Sequence, residues 1–222
     1  MTDEERAALV QAQAERWNDP ATQAGAKERA DRAAERAKLL DGSSREQLAA
    51  LRRAPKFHQR LFWLRELSKN FARAVAPEAA CRSGCAGCCF QPVMISQAEA
   101  EVIAKETKQA LQTPPEWRID PPSEFVGQRC TFLGEDNRCT IYESRPMACR
   151  LLFNMDRDEL LCQIVPGSAA KVPYANAMQY QMLVVEAHGP FTMPDRDDPD
   201  FESKVKAQVR LADIREFFPP KP

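Results

Sequence analysis

Apolar residues recur at helical spacing in one stretch of the chain. Between residues 55 and 77 the large apolar side chains follow one another at intervals of three or four and form one stripe on a helix: Phe57, Leu61, Leu64, Leu67, Phe71 and Val75. Phe62 and Trp63 widen this stripe. The pattern predicts an amphipathic helix that packs in an ordinary hydrophobic core, against the segment that follows it.

The first 40 residues have a different pattern. They are rich in Ala, Glu, Arg and Gln and predict one helix that buries little surface. Ser43 and Glu46 form a capping-box pattern for a second helix, which Pro55 ends. We expect residues 1–55 to be a helical N-terminal extension that frays or docks on a protein partner. We also expect its first 40 residues to be dispensable for any metal site.

The rest of the chain predicts short elements. An extended piece at 91–95 is followed by a capping-box pattern at Ser96 and Glu99, which starts a helix. Turn residues at 134–137 predict a small hairpin with Cys130 and Cys139 on its arms. Further helices are predicted at 143–152, 175–187 and 202–217.

The predicted fold class is mainly α with a small irregular β-hairpin. It has a compact, cysteine-rich, metal-nucleated core with helical N- and C-terminal extensions. The predicted metal-binding domain spans 56–222, with its core at 77–165.

Charge and hydropathy exclude several partners. The chain has 31 basic and 32 acidic residues, a formal charge of -1, and therefore no basic excess for nucleic acid. No apolar run approaches the roughly 18 residues of a membrane helix. The N-terminus lacks the basic and apolar segments of a secretory signal. We expect a cytoplasmic protein that binds neither nucleic acid nor membrane.

Eight cysteines carry the candidate chemistry. Four lie close together and four follow: Cys81, Cys85, Cys88, Cys89, Cys130, Cys139, Cys149 and Cys162. A reducing compartment disfavours disulfides, and clustered thiolates are typical ligands of zinc or of iron–sulfur clusters. Eight thiolates suffice for two four-thiolate sites, but the count alone leaves one or two sites open. The adjacent Cys88 and Cys89 point in different directions, so one of them can serve a second ion or only fill space.

Three further side chains are candidates for contact with the bound group: Tyr142, Arg145 and Arg150. Guanidinium N–H groups can offset the negative charge of several thiolates, although pairing with nearby carboxylates is the structural alternative. The two histidines have no cysteine or histidine at ligand spacing, which favours core or surface roles.

The cysteine pattern resembles a known family. The stretch Cys81-Arg-Ser-Gly-Cys-Ala-Gly-Cys-Cys, with Cys130-Thr-Phe-Leu and Arg138-Cys-Thr-Ile-Tyr-Glu-Ser-Arg-Pro-Met-Ala-Cys149-Arg, is similar to the YkgJ-type CxxCxxCC cysteine-cluster family of zinc- or iron-chelating domains. Residues 212–219 resemble the family's C-terminal helix. The resemblance implies chelation by the first seven cysteines, and Cys162 lies where relatives often have another.

One relative, the flagellin lysine N-methylase, is similar in its cysteine pattern and implies a [4Fe–4S] cluster, with zinc as the alternative. The expected function is therefore a metal-binding protein with a structural, redox or iron-handling role. The alternative is an S-adenosylmethionine-dependent lysine methyltransferase-like enzyme, so whether the protein is an enzyme stays open. The spacing Cys81-x3-Cys85-x2-Cys88 also matches radical S-adenosylmethionine enzymes, but no alternation of strands and helices follows it.

Overall fold

The computed structural model describes residues 1–168, 171–190, 194–195 and 197–220, without the Asp41 side chain. Its helices are α1 (Asp3–Asn18), α2 (Pro20–Lys38), α3 (Asp41–Arg53), α4 (Phe57–Val75), α5 (Gln97–Thr107), α6 (Met147–Arg150), α7 (Met178–Ala187), α8 (Phe201–Val209) and α9 (Ile214–Phe217). Its strands are β1 (Met94–Ser96) and β2 (Leu211–Asp213). This confirms the mainly α fold class with a small antiparallel sheet. The last two residues of the predicted 56–222 domain lie outside the described residues.

The sheet joins two segments that are distant in sequence. β1 and β2 are antiparallel, and Ile95 lies opposite Ala212. The predicted helix at 202–217 is wrong in its middle, because Arg210 adopts a left-handed conformation (φ 45°) and β2 follows. The predicted hairpin around 134–137 is a turn with one bridge, between Leu133 and Cys139.

The N-terminal segment contains three helices, and the predicted single helix over the first 40 residues is wrong. The Asp19 side chain accepts a hydrogen bond from the Ala21 N–H, and Pro20 occupies the first turn of α2. These two residues are a normal helix start and therefore divide the segment. The predicted cap at Ser43 is also wrong, because Ser43 lies inside α3 and its hydroxyl donates to the Leu40 carbonyl.

A first core forms around α4, whose predicted stripe is confirmed. Leu61, Leu64 and Leu67 are buried, and α2, α3 and α7 pack against this helix. Ala26 and Ala33 of α2 are buried in the same core. The expectation that this segment buries little surface holds for most of it, since the buried residues among the first 40 are Gln13, Thr22, Ala26 and Ala33. None of the helices in the described chain is long and apolar enough to cross a bilayer.

A second core lies around the sheet. Its buried members come from β1, α5, the turn region and the C-terminal elements: Val93, Ile95, Ala100, Ile103, Phe132, Ile141, Ala212, Ile214, Phe217 and Phe218. Cys130, Cys139 and Cys149 pack against this second core, whereas Cys81 packs against the first. The cysteine-bearing segments therefore lie between two hydrophobic clusters.

Candidate metal centre

The structure brings the predicted thiols together. All eight are free, and seven line one cavity of about 530 Å³: Cys81, Cys85, Cys88, Cys89, Cys130, Cys139 and Cys149. Cys162 and Cys85 line a second cavity of about 250 Å³. Within the described ranges, no three His, Cys, Asp or Glu side chains already stand at the spacing that one metal ion requires.

Glycines shape the loop that carries the first four cysteines. Gly84 has a φ of 85°, a conformation that disfavours other residues. At Gly87 a Cβ atom would lie 2.5 Å from the Cys162 carbonyl oxygen, so only glycine lets these two segments touch. Gly87–Phe90 forms a short 3₁₀ turn. Such a turn rotates consecutive residues by about 120°, yet the Cys88 and Cys89 thiols are hydrogen-bonded to each other, so their service to different sites stays a prediction.

Arg215 ties the first cysteine loop to the segment of Cys130. Arg215 is 4% exposed, and its guanidinium is paired with Asp213 at 3.0 Å and donates to the carbonyls of Cys89 and Gln128. The Cys130 N–H donates directly to the Cys89 carbonyl at 2.8 Å. Sequence reasoning missed this buried ion pair, although both residues lie in the 212–219 stretch that resembles the family.

Glu99 fixes the helix that carries Cys149. Its carboxylate accepts a hydrogen bond from the Met147 N–H at the start of α6, at 2.8 Å, and burial raises the pKa of Glu99. The Ser96 hydroxyl accepts from the Glu99 N–H, which confirms half of the predicted capping box. The other half is wrong because the Glu99 carboxylate turns towards α6.

Asn154 contacts the site from the opposite side. It is buried, and its N–H lies 3.4 Å from the sulfur of Cys81. Its side-chain amide donates to the Asp158 carbonyl, and its own carbonyl accepts from the Ala80 N–H. Sequence reasoning missed Asn154 as well, because an isolated asparagine in a loop gives no periodic or spacing signal.

Residues 80–168 match the family model for CxxCxxCC, described as a "putative zinc- or iron-chelating domain". This stretch is a CxxCxxCC domain. All eight cysteines lie inside it, so the predicted family is confirmed and metal binding through the cysteines is supported. Comparison with curated proteins and with solved structures found no match.

The three candidate non-cysteine residues of the CxxCxxCC domain lie close together. Tyr142 and Arg145 line the larger cavity, and the Arg145 guanidinium lies 4.1 Å from the centre of the Tyr142 ring. Arg150 is buried and donates to the carbonyls of Arg145 and Glu143, so it supports the backbone that carries Arg145. Direct contact of these residues with a bound group stays a prediction. His188 stacks on Phe57 beside the first core, as expected for a histidine without ligand neighbours.

The electrostatics of the CxxCxxCC domain favour a cationic occupant. Burial raises the pKa of Cys130 and Cys139, and burial together with nearby thiols raises that of Cys149. A hydrogen bond with Cys89 lowers the pKa of Cys88 to about 7 and raises that of Cys89. The thiols cannot all ionise together unless a metal displaces their protons.

One orphaned donor also fits this occupant. In the described part of the chain, the Nε of Arg145 is buried and has no hydrogen-bond partner. A thiolate or an inorganic sulfide would accept a hydrogen bond from such a donor. The donor set, which consists of soft thiolates with a guanidinium beside them, therefore fits zinc or an iron–sulfur cluster.

Proposed function

We propose that the CxxCxxCC domain holds iron as a [4Fe–4S] cluster and serves a redox role. The single cavity of about 530 Å³ with seven thiols carries this proposal. A zinc ion takes four ligands with Zn–S distances near 2.3 Å, which places its sulfurs only about 4 Å apart. A cluster of several iron and sulfide ions needs the larger volume that these thiols surround.

When bound, such a cluster supplies one-electron transfer at a potential set by charge, hydrogen bonds and solvent exposure. The chain's own residues provide each of these influences. The Asn154 N–H donates to a thiol sulfur, Arg145 adds a positive charge, and the two cores exclude water from one side. Tyr142 is 56% exposed at the cavity, which leaves a short path to a protein redox partner.

The test is anaerobic purification followed by measurement of iron, zinc and acid-labile sulfide. The proposal predicts iron and sulfide in equal amounts, with broad visible absorption that bleaches on reduction. Stoichiometric zinc without sulfide would overturn the iron–sulfur assignment. Absence of both metals would overturn metal binding itself.

A further inference from the structure

The cysteines lie on two sides of the 3₁₀ turn Gly87–Phe90. On one side, Cys130, Cys139 and Cys149 pack against the second core. On the other side, Cys81 packs against the first core. Four thiolates complete one tetrahedral zinc or cubane site, so each side needs one or more cysteines from the turn and its neighbourhood.

Backbone hydrogen bonds assign Cys89 to the second-core side. Its carbonyl accepts from the Cys130 N–H at 2.8 Å and from Arg215 at 3.2 Å. The bridge between Leu133 and Cys139 brings Cys139 back beside the segment that starts at Cys130. These contacts place Cys89 with the three cysteines of the second core.

Cys162 belongs to the other side. Its backbone contacts Gly87, and its side chain lines the small cavity that Cys85 also lines. Asn154 joins this side to Cys81, because its N–H donates to the Cys81 sulfur. Cys88 is the one cysteine that remains, and it completes this set of four ligands.

We infer that the domain holds two four-thiolate centres rather than one, an inference that rests on the proposed metal-binding function. The outer centre is formed by Cys81, Cys85, Cys88 and Cys162. The inner centre is formed by Cys89, Cys130, Cys139 and Cys149.

The outer centre is tied to the N-terminal helix. The Gln13 amide of α1 donates to the carbonyls of Leu160 and Gln163 at 2.9 and 2.7 Å, on either side of Cys162 in sequence. Arg16 pairs with Asp156 and Asp158, both at 3.0 Å. These residues act as positioning residues, since they hold the backbone that presents Cys162.

The test compares the full chain with Cys162→Ala and Cys149→Ala after anaerobic purification. Iron, zinc and sulfide per chain are measured. The electron paramagnetic resonance spectrum of the reduced protein is recorded as well. We expect each variant to lose about half of the metal, with spin–spin coupling in the parent chain and none in either variant. The double variant should lose nearly all of it.

The outcomes separate this inference from the proposed function. Iron and sulfide for one cluster in the parent chain, or full metal in Cys162→Ala, would overturn the two centres and leave the iron–sulfur assignment intact. Two zinc ions, one lost in each variant, would overturn iron–sulfur chemistry and support two centres. Far-ultraviolet circular dichroism identifies a variant that fails to fold. In that case the nearly isosteric Cys162→Ser and Cys149→Ser replace the alanine variants, and full metal content in Cys162→Ser would overturn the inference.

Discussion

At the scale of single residues, Arg145 acts on thiols of both proposed centres. Burial raises the pKa of Cys81, Cys139 and Cys149, and the positive charge of Arg145 opposes that rise in each case. Arg145 also contributes to the lowered pKa of Cys88, after the hydrogen bond with Cys89. One guanidinium therefore favours the thiolate form at several ligands at once.

Replacing Arg145 by Leu should weaken metal binding about 10-fold or more, as loss of an outer-shell partner commonly does. The midpoint potential should become more negative, because a positive charge no longer stabilises the reduced cluster. Metal content and a redox titration measure these effects. Arg138→Leu is the matched control, since that side chain is largely exposed and lies 3.9 Å from Asp136. Equal effects of the two substitutions would contradict a specific role for Arg145.

Asn154→Ala should lower the free energy of unfolding by about 1–3 kcal/mol, because it leaves the buried Asp156 N–H and the Asp158 carbonyl without their partner. Urea unfolding under anaerobic conditions measures this change. Asn176→Ala is the control, because Asn176 accepts one exposed bond from the Met178 N–H. A control that destabilises as much as Asn154→Ala would show that burial of Asn154 is unimportant.

The sequence alone predicts the roles of some of these residues and not of others. The cysteines were found because their spacing is itself a ligand signature. Glu99 was recognised as a capping residue, but its bond to the Met147 N–H depends on a contact between residues 48 positions apart. Local patterns contain no information about such a partner. The roles of Asn154 and Arg215 were not predicted for the same reason, because their contacts with Cys81 and Cys89 also join residues distant in sequence.

At the scale of elements, α1 shows how a polar helix can dock. Gln13 is 2% exposed, although its helix is mostly Ala, Glu, Arg and Gln. Its amide and the guanidinium of Arg16 contact the loop around Cys162 instead of an apolar surface. Hydrophobic periodicity could not predict this attachment, because hydrogen bonds and ion pairs make it. By contrast, the apolar residues of α4 recur within one short segment of the sequence, and the helix was therefore predictable from their spacing.

Gln13→Ala should cost about 1–2 kcal/mol in stability, because two backbone carbonyls lose their donor. It should also reduce the metal content by up to half through the outer centre. Thermal unfolding and metal analysis are the measurements. Gln11→Ala is the matched control on the same helix, since Gln11 bonds only Glu15 on the exposed face. Comparable losses in the two variants would contradict the docking role of Gln13.

At the scale of the whole molecule, the N-terminal helices are packed on α4, on the turn that follows it and on the CxxCxxCC domain. Arg29 donates to the Met155 carbonyl, and Arg36 donates to the Ala74 carbonyl and pairs with Glu78 at 2.7 Å. The sequence alone predicted that this segment is dispensable for the metal site. The contacts predict a partial dependence, and the domain boundary at residue 55 stays a prediction.

Deletion of residues 1–38 should lower the melting temperature and remove the outer centre, because the loop of Cys162 loses Gln13 and Arg16. The inner centre should persist, since Arg215 and the second core hold it. Metal analysis would then give about half of the parent content. Deletion of the exposed residues 1–8 is the control and should change neither quantity. Full metal content in the longer deletion would support the sequence-based expectation instead.

The pairing of β1 with β2 imposes an order on biosynthesis. Arg215, which holds the Cys89 carbonyl, follows Cys162 by 53 residues. At about 5–20 residues per second, the ribosome needs roughly 3–10 s to add that stretch. During this interval all eight thiols have been synthesised, but the strand that closes the second core has not. The nascent chain therefore exposes these thiols to oxidation and to non-cognate metal ions before the inner centre can form. Metal that arrives before translation has passed β2 would meet these thiols without the contacts of Arg215.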